Sequence, residues 1–154
     1  MRVPARLRKD VTAETLDAIA ASVDRAESET SGEIVVHIAH SLLPLERARD
    51  RAIRAFRRLG VHKTKRRNGV LLFVTMKRRR FEIVADEGID RVVDAKTWVE
   101  IAKGMEKQIE HDGFERGICA GVEAIGALLK ERFPREPDDV NELPDRPVVS
   151  PDSE

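Results

Sequence analysis

"NGVLLFVTMKRRRFEIVADEGID", residues 68–90, decides the architecture of this chain. "NGVLLFVTM" (68–76) is its most continuous apolar run and reads as a central strand covered on both faces. "KRRR" (77–80) is a turn, and "FEIVAD" returns beside the first strand as the second half of a hairpin. In that return Phe81, Ile83 and Ala85 alternate with Glu82 and Val84, the period of a half-buried strand. Three acids, Asp86, Glu87 and Asp90, then crowd the point where the chain leaves the sheet.

Upstream, Thr12 is placed to cap a helix whose apolar face is Leu16, Ile19, Val23 and Ala26. "ETSGE" (29–33) ends it, and the β-branched stretch "EIVVHIA" follows as a buried strand. A second helix is expected from Pro44, in its first turn, to Gly60, its C-terminal cap. Its buried stripe is Leu45, Ala48, Ala52, Ala55, Phe56 and Leu59, and its outward face carries Arg47, Arg49, Arg51, Arg54, Arg57 and Arg58. Downstream, Val92, Val93, Trp98, Ile101, Met105 and Ile109 mark a third helical region, broken by "HDG" (111–113). A last helix bears Phe114, Ile118, Val122, Ile125 and Leu129 on one face. Gly117, Gly121 and Gly126 thin it for close packing.

The order helix–strand–helix–strand–strand–helix–helix predicts a three-layer α/β/α sandwich over residues 12–133, with a small mixed sheet. The first two strands are parallel through the helical crossover, and the third is their antiparallel hairpin partner. Residues 1–11 form an N-terminal extension. Residues 134–154 hold five of the seven prolines and seven acids against Arg135 and Arg146, the composition of a solvated acidic tail. Truncation after Phe133 should then leave stability unchanged. The body ahead of the tail is correspondingly cationic.

Composition narrows the function classes. Basic and acidic residues balance at 28 each, so no overall excess points to nucleic acid. Aromatics, at 4%, are too few to interleave with the arginines as base-stacking platforms. One cysteine, Cys119, excludes an intramolecular disulfide and sits among small residues as a packing group. No apolar run approaches membrane-spanning length, and "MRVPARLRKD" lacks the apolar core of a secretory signal. The expectation is a soluble cytoplasmic monomer. No internal repeat is evident.

Topology brings the acids together. The C-terminal end of the third strand lies on the same sheet edge as the N-terminal ends of the first two. Glu33, Asn68, Asp86 and Glu87 should therefore converge there, a hard-oxygen set suited to Ca²⁺ or Mg²⁺. The competing reading is that Asp86, Glu87 and Asp90 cap the following helix and Glu33 is a solvated strand end. His37 and His40, three apart, do not share a strand face, so they make a poor metal pair. His62 and His111 stand alone on loops.

"TSGEIVVHI" (30–38), "RRNGVLLFV" (66–74), "ADEGID" (85–90) and "PDDVNELPD" (137–145) resemble the TPM domain family, roughly over residues 12–145. That family includes thylakoid-lumen proteins associated with photosystem repair and many bacterial proteins. The likeness is to a short bacterial branch without signal peptide or membrane helix. It implies an α/β/α sandwich and a divalent-cation site, usually calcium, on Glu33, Asn68, Asp86 and Glu87. For some plant relatives it implies an acid phosphatase activity. Arg66 departs from the family pattern, in which an acidic or polar residue is common just before "RNG". It opposes metal affinity if it points inward, or pairs with a phosphate or with Asp86. In a metal-assisted phosphatase, Arg66 or Arg67 would balance developing charge. The function reading is a cation-binding interaction module whose protein partner docks on the acidic edge or on the arginine helix. The alternatives are a weak phosphatase and a structural domain without metal.

Overall fold

The computed structural model describes residues 11–150 apart from 78, 138 and 140. In chain order the elements are α1 (Ala13–Glu27), β1 (Glu33–Ala39), α2 (Ala48–Arg58), β2 (Gly69–Thr75), β3 (Arg80–Ala85), α3 (Glu87–Asp90), α4 (Ala95–Asp112), α5 (Phe114–Arg132) and β4 (Val148–Val149). A 3₁₀ turn at Val61–Lys63 leads from α2 toward β2. Sheet order is β3-β2-β1-β4, with β1 and β2 parallel and β2 and β3 antiparallel. The layered α/β fold expected from the 68–90 hairpin is the observed one.

Two buried clusters flank the sheet, and the strand period sorts residues between them. Ile34, Val36 and Ile38 of β1, with Val70, Leu72 and Val74 of β2, pack under Leu16, Ile19 and Val23 of α1 and Ile118, Val122 and Ile125 of α5. Val35, Ala39, Leu71, Phe73 and Val84 face Ala52, Ala55 and Phe56 of α2. Helices α4 and α5 approach closely because glycine removes the intervening side chain. A Cβ on Gly117 would lie 2.0 Å from Ile109 Cγ1, and one on Gly121 2.4 Å from Met105 Sδ. The edge strand β3 is protected where Arg49 of α2 donates to the Ile83 carbonyl.

Three sequence expectations are corrected. Helix α2 begins at Ala48, not at Pro44, which instead lies in a reverse turn outside it. The third helical region divides into the single turn α3, where Ile89 is buried, and α4, which Asp94 caps by accepting from the Lys96 N–H.

The third correction concerns the acidic segment, which does not stand off in solvent. Over the described residues up to Ser150 it straps back across the body. Pro134 bridges Thr30, Val148 and Val149 add a parallel strand beside His37 and Ile38 of β1, and the Ser150 N–H donates to the Ile38 carbonyl at 2.9 Å. Arg146 pairs with Asp17 of α1 at 2.7 Å, and buried His37 Nε2 bonds Ser150 Oγ at 2.5 Å. Composition alone suggested a chain with too little apolar surface to fold, but Val149 enters the main core, Leu143 packs against the second cluster, and polar contacts hold the rest. Residues 1–10 and 151–154 lie outside the described residues.

Candidate functional site

The backbone at the predicted sheet edge converges as topology requires. The Glu33 N–H donates to the Asn68 carbonyl at 3.2 Å, and the Asp86 N–H donates to the Gly69 carbonyl at 2.9 Å. The four side chains then part into three separate environments.

Asp86 is the N-cap of α3 and accepts the Glu87 N–H through Oδ1 at 2.8 Å. Both its oxygens also accept from Arg67: Nε reaches Oδ2 at 2.8 Å and an Nη reaches Oδ1 at 2.9 Å. Arg67 adopts a left-handed backbone (φ 53°), and its guanidinium also lies 3.4 Å from the exposed Glu87 carboxylate. Its hydrogen bond to Asp86 raises the guanidinium pKa further. Arg67 thus pairs with both Asp86 and Glu87, the two acids expected to take a metal. The corner closes tightly, since a Cβ on Gly88 would lie 2.6 Å from the Arg67 carbonyl oxygen.

Asn68 is buried and hydrogen-bonded through both its backbone and its side chain. Its N–H donates to Thr64 Oγ1 at 3.1 Å, its Oδ1 accepts from that hydroxyl at 3.3 Å, and its Nδ2 donates to Ser31 Oγ at 3.3 Å. Arg66 turns away from this corner to a two-pronged pair with Glu136, which holds the Glu136 carboxyl below its usual range.

Glu33 faces elsewhere. It is buried beside Glu27, the last residue of α1, also buried. Glu27 Oε1 accepts the Ile34 N–H at 3.2 Å, and Glu33 Oε1 accepts the Glu142 N–H at 2.7 Å. The second oxygen of each, Glu27 Oε2 and Glu33 Oε2, is buried without a hydrogen-bond donor among the described residues. Burial pushes the Glu27 carboxyl up to about 10, helped by the neighbouring Glu33 carboxylate and by Asp145. Burial also raises Glu33, against the lowering effect of the Glu142 N–H. Two desolvated carboxyl groups side by side cannot both ionise cheaply, so they share either a proton or a cation.

Glu27 escaped the sequence reading, although a signal was present. It follows Val23 by four residues on the same stripe as Leu16, Ile19 and Val23, so it is an acid at an apolar position. A cavity of about 250 Å³, lined by Asp24, Glu27, Ser28, Arg135 and Asn141, opens beside it. Arg135 directs its guanidinium to the Glu27 and Asp139 carbonyls. Among the described residues, no three His, Cys, Asp or Glu side chains are placed together as a ready metal cluster. Any ion at the Glu27–Glu33 pair would therefore complete its shell from carbonyls and water. Cys119 lies apart, half-buried against the Ala18 carbonyl, its thiol pushed up by burial.

Fold and sheet edge together define a mixed α/β sandwich with a buried carboxylate pair under a C-terminal strap. The TPM domain model matches residues 10–128, and the chain belongs to that family. It is similar, at 34% identity and a TM-score of 0.83, to the NMR structure of the BA42 protein from the psychrophilic bacterium Bizionia argentinensis. That match covers 91% of this chain and 95% of the other. The N-terminal domain of a P. gingivalis protein shares the fold, with 18% identity and a TM-score of 0.66 over 86% of this chain and 96% of that one. No curated protein matched. Among the described residues, no helix is long and apolar enough to cross a membrane.

Proposed function

We propose that this TPM domain binds a divalent cation at the Glu27–Glu33 carboxylate pair, with Ca²⁺ the first candidate and Mg²⁺ the alternative. The carrying observation is that two buried carboxyl groups interact directly, and the second oxygen of each lacks a donor in hydrogen-bond geometry among the described residues. A hard cation with oxygen ligands answers that arrangement, since it satisfies both oxygens and removes the repulsion between them. Glu33 is retained from the sequence-derived set, and Glu27 takes the place of Asp86 and Glu87, with which Arg67 already pairs. The family resemblance supports a cation of this class.

The site is also a docking point. Glu33 holds the strap through the Glu142 N–H, so an ion there would tighten residues 134–150 against the body. This supports a cation-responsive interaction module over a phosphatase. Arg66 and Arg67, the cations a phosphoryl group would need, are already committed to Glu136 and Asp86.

The test is a thermal melt of chelator-treated protein with Ca²⁺ or Mg²⁺ added back. At a hundredfold excess over Kd, a native-state ligand adds about 2.7 kcal/mol. Wild type and Asp86→Asn should show the shift, and Glu27→Gln and Glu33→Gln should lose it. A shift that Asp86→Asn abolishes and Glu27→Gln keeps would return the site to the sheet edge. No shift with either ion would end the cation reading.

A further inference from the structure

Leu43, Pro44, Leu45 and Glu46 form a reverse turn just before α2, closed by the Glu46 N–H donating to the Leu43 carbonyl at 3.0 Å. Pro44 takes the second position, which suits it. Leu45 takes the third with φ 65°, the left-handed region where such a turn ordinarily has glycine or asparagine. Leu45 is 103% exposed and Leu43 is 58% exposed. Leu45 therefore incurs a backbone cost and leaves its apolar surface in water. The turn hydrogen bonds hold the backbone, and the Leu45 side chain is covered by nothing among the described residues.

This turn is held rigidly. Glu46 Oε1 accepts the Leu43 N–H at 3.1 Å, and the same carboxylate pairs with Arg51 and Arg54 of α2. Arg51 in turn donates to the Ser41 carbonyl at 2.7 Å. The leucine tip is fixed to the end of a helix whose exposed residues are Arg49, Asp50, Ile53, Arg54, Arg57 and Arg58, with Arg47 exposed just ahead of it. Cations outnumber acids there, and Ile53, 37% exposed, adds an apolar side chain to the helix surface.

We propose that the Leu43–Leu45 turn and the exposed face of α2 form a peripheral docking surface for an anionic lipid bilayer. The leucines would enter the headgroup boundary while the exposed Arg47 and Arg57 engage lipid phosphates. Charge complementarity selects an anionic surface, and the shape of the apolar part selects lipid. A protein hot spot is usually seated in a well-packed patch, whereas here the apolar element protrudes as a tip beside cations, as interfacial anchors do. Nucleic acid would draw on the arginines and leave the leucines without a role.

The test is co-sedimentation of the full chain with phosphatidylcholine vesicles and with phosphatidylserine-rich ones. Wild type should pellet with the anionic vesicles only. Arg47→Glu/Arg57→Glu should weaken binding by about fivefold or more per arginine, and Leu43→Ser/Leu45→Ser by about tenfold or more. Both pairs lie on the surface, and an unchanged melt verifies the fold. A Leu45→Trp/Trp98→Phe reporter should shift its emission to the blue on anionic vesicles. Failure of wild type to pellet, full retention by the leucine variant, or an unshifted reporter would each overturn the proposal. The same holds if heparin or duplex DNA binds the protein while vesicles do not.

Discussion

The Glu142 N–H donates to Glu33 Oε1 at 2.7 Å, joining the acidic strap to the first residue of β1 across 109 positions of chain. Lys65 N–H in turn donates to the Glu142 carboxylate at 3.1 Å, so this one strap residue is bonded through both its backbone and its side chain. The bond makes the C-terminal segment part of the buried site.

Truncation after Phe133 is therefore expected to destabilise the domain. It removes β4, exposes the outer edge of β1 and takes away the strap partners of Glu33 Oε1 and His37 Nε2. Leaving buried polar groups unsatisfied costs about 1–3 kcal/mol each, so the melting temperature should fall by several degrees at least. An unchanged melt would mean that the strap contributes nothing to stability.

The Glu27–Glu33 pair sets the sign of a pH dependence. Glu27 is raised from 4.5 to about 10 in the folded state, so the native protein holds a proton that the unfolded chain gives up. Its contribution to stability is whole below pH 4.5 and is lost as pH rises toward 10. Metal-free protein should accordingly melt higher at pH 6 than at pH 9. Glu27→Gln, which carries no titrating proton, should flatten that slope. Saturating Ca²⁺ should flatten it too, because the ion takes over from the proton. A slope unchanged in Glu27→Gln would rule out Glu27 as its origin.

The Arg67–Asp86 pair joins a 45% exposed guanidinium to a carboxylate side chain only 4% exposed. Arg67→Ala leaves the buried Asp86 Oδ2 without its donor and should lower the urea midpoint. Asp86→Ala removes the cap of α3 as well and should lower it at least as much. Urea denaturation measures both. Neither substitution should alter the cation response of the melt, which separates this structural corner from the Glu27–Glu33 pair.

Gly88 sits where a Cβ would lie 2.6 Å from the Arg67 carbonyl oxygen and 2.8 Å from that of Arg66. Backbone atoms cannot swing aside as a side-chain end can. Gly88→Ala should therefore cost about 1–3 kcal/mol, the range for forced overpacking, read as a lower urea midpoint. Gly104→Ala serves as its control. A Cβ there meets nothing within 4 Å, and alanine favours the middle of α4.

Local sequence determined the three main strands, the long helices and their order. Alternation in 81–85, the apolar run of 69–75 and the helical stripes of α1 and α5 each arise from neighbours within a few positions, where side-chain direction follows from backbone geometry. The connection rules then fixed strand directions, and with them the sheet edge where the backbones at Glu33, Asn68 and Asp86 come together. Only tertiary structure decided which charges met there. Arg67 and Asp86 are separated by 19 positions, Glu33 and the Glu142 N–H by 109, and His37 and Ser150 by 113. No periodicity spans such separations. A carboxylate at a strand end can turn toward an arginine, a backbone N–H or a second carboxylate, and the packing around it selects among them. The acidic strap docks for the same reason: its few apolar groups, Val149 and Leu143, and its particular hydrogen bonds find partners only once the sheet has formed.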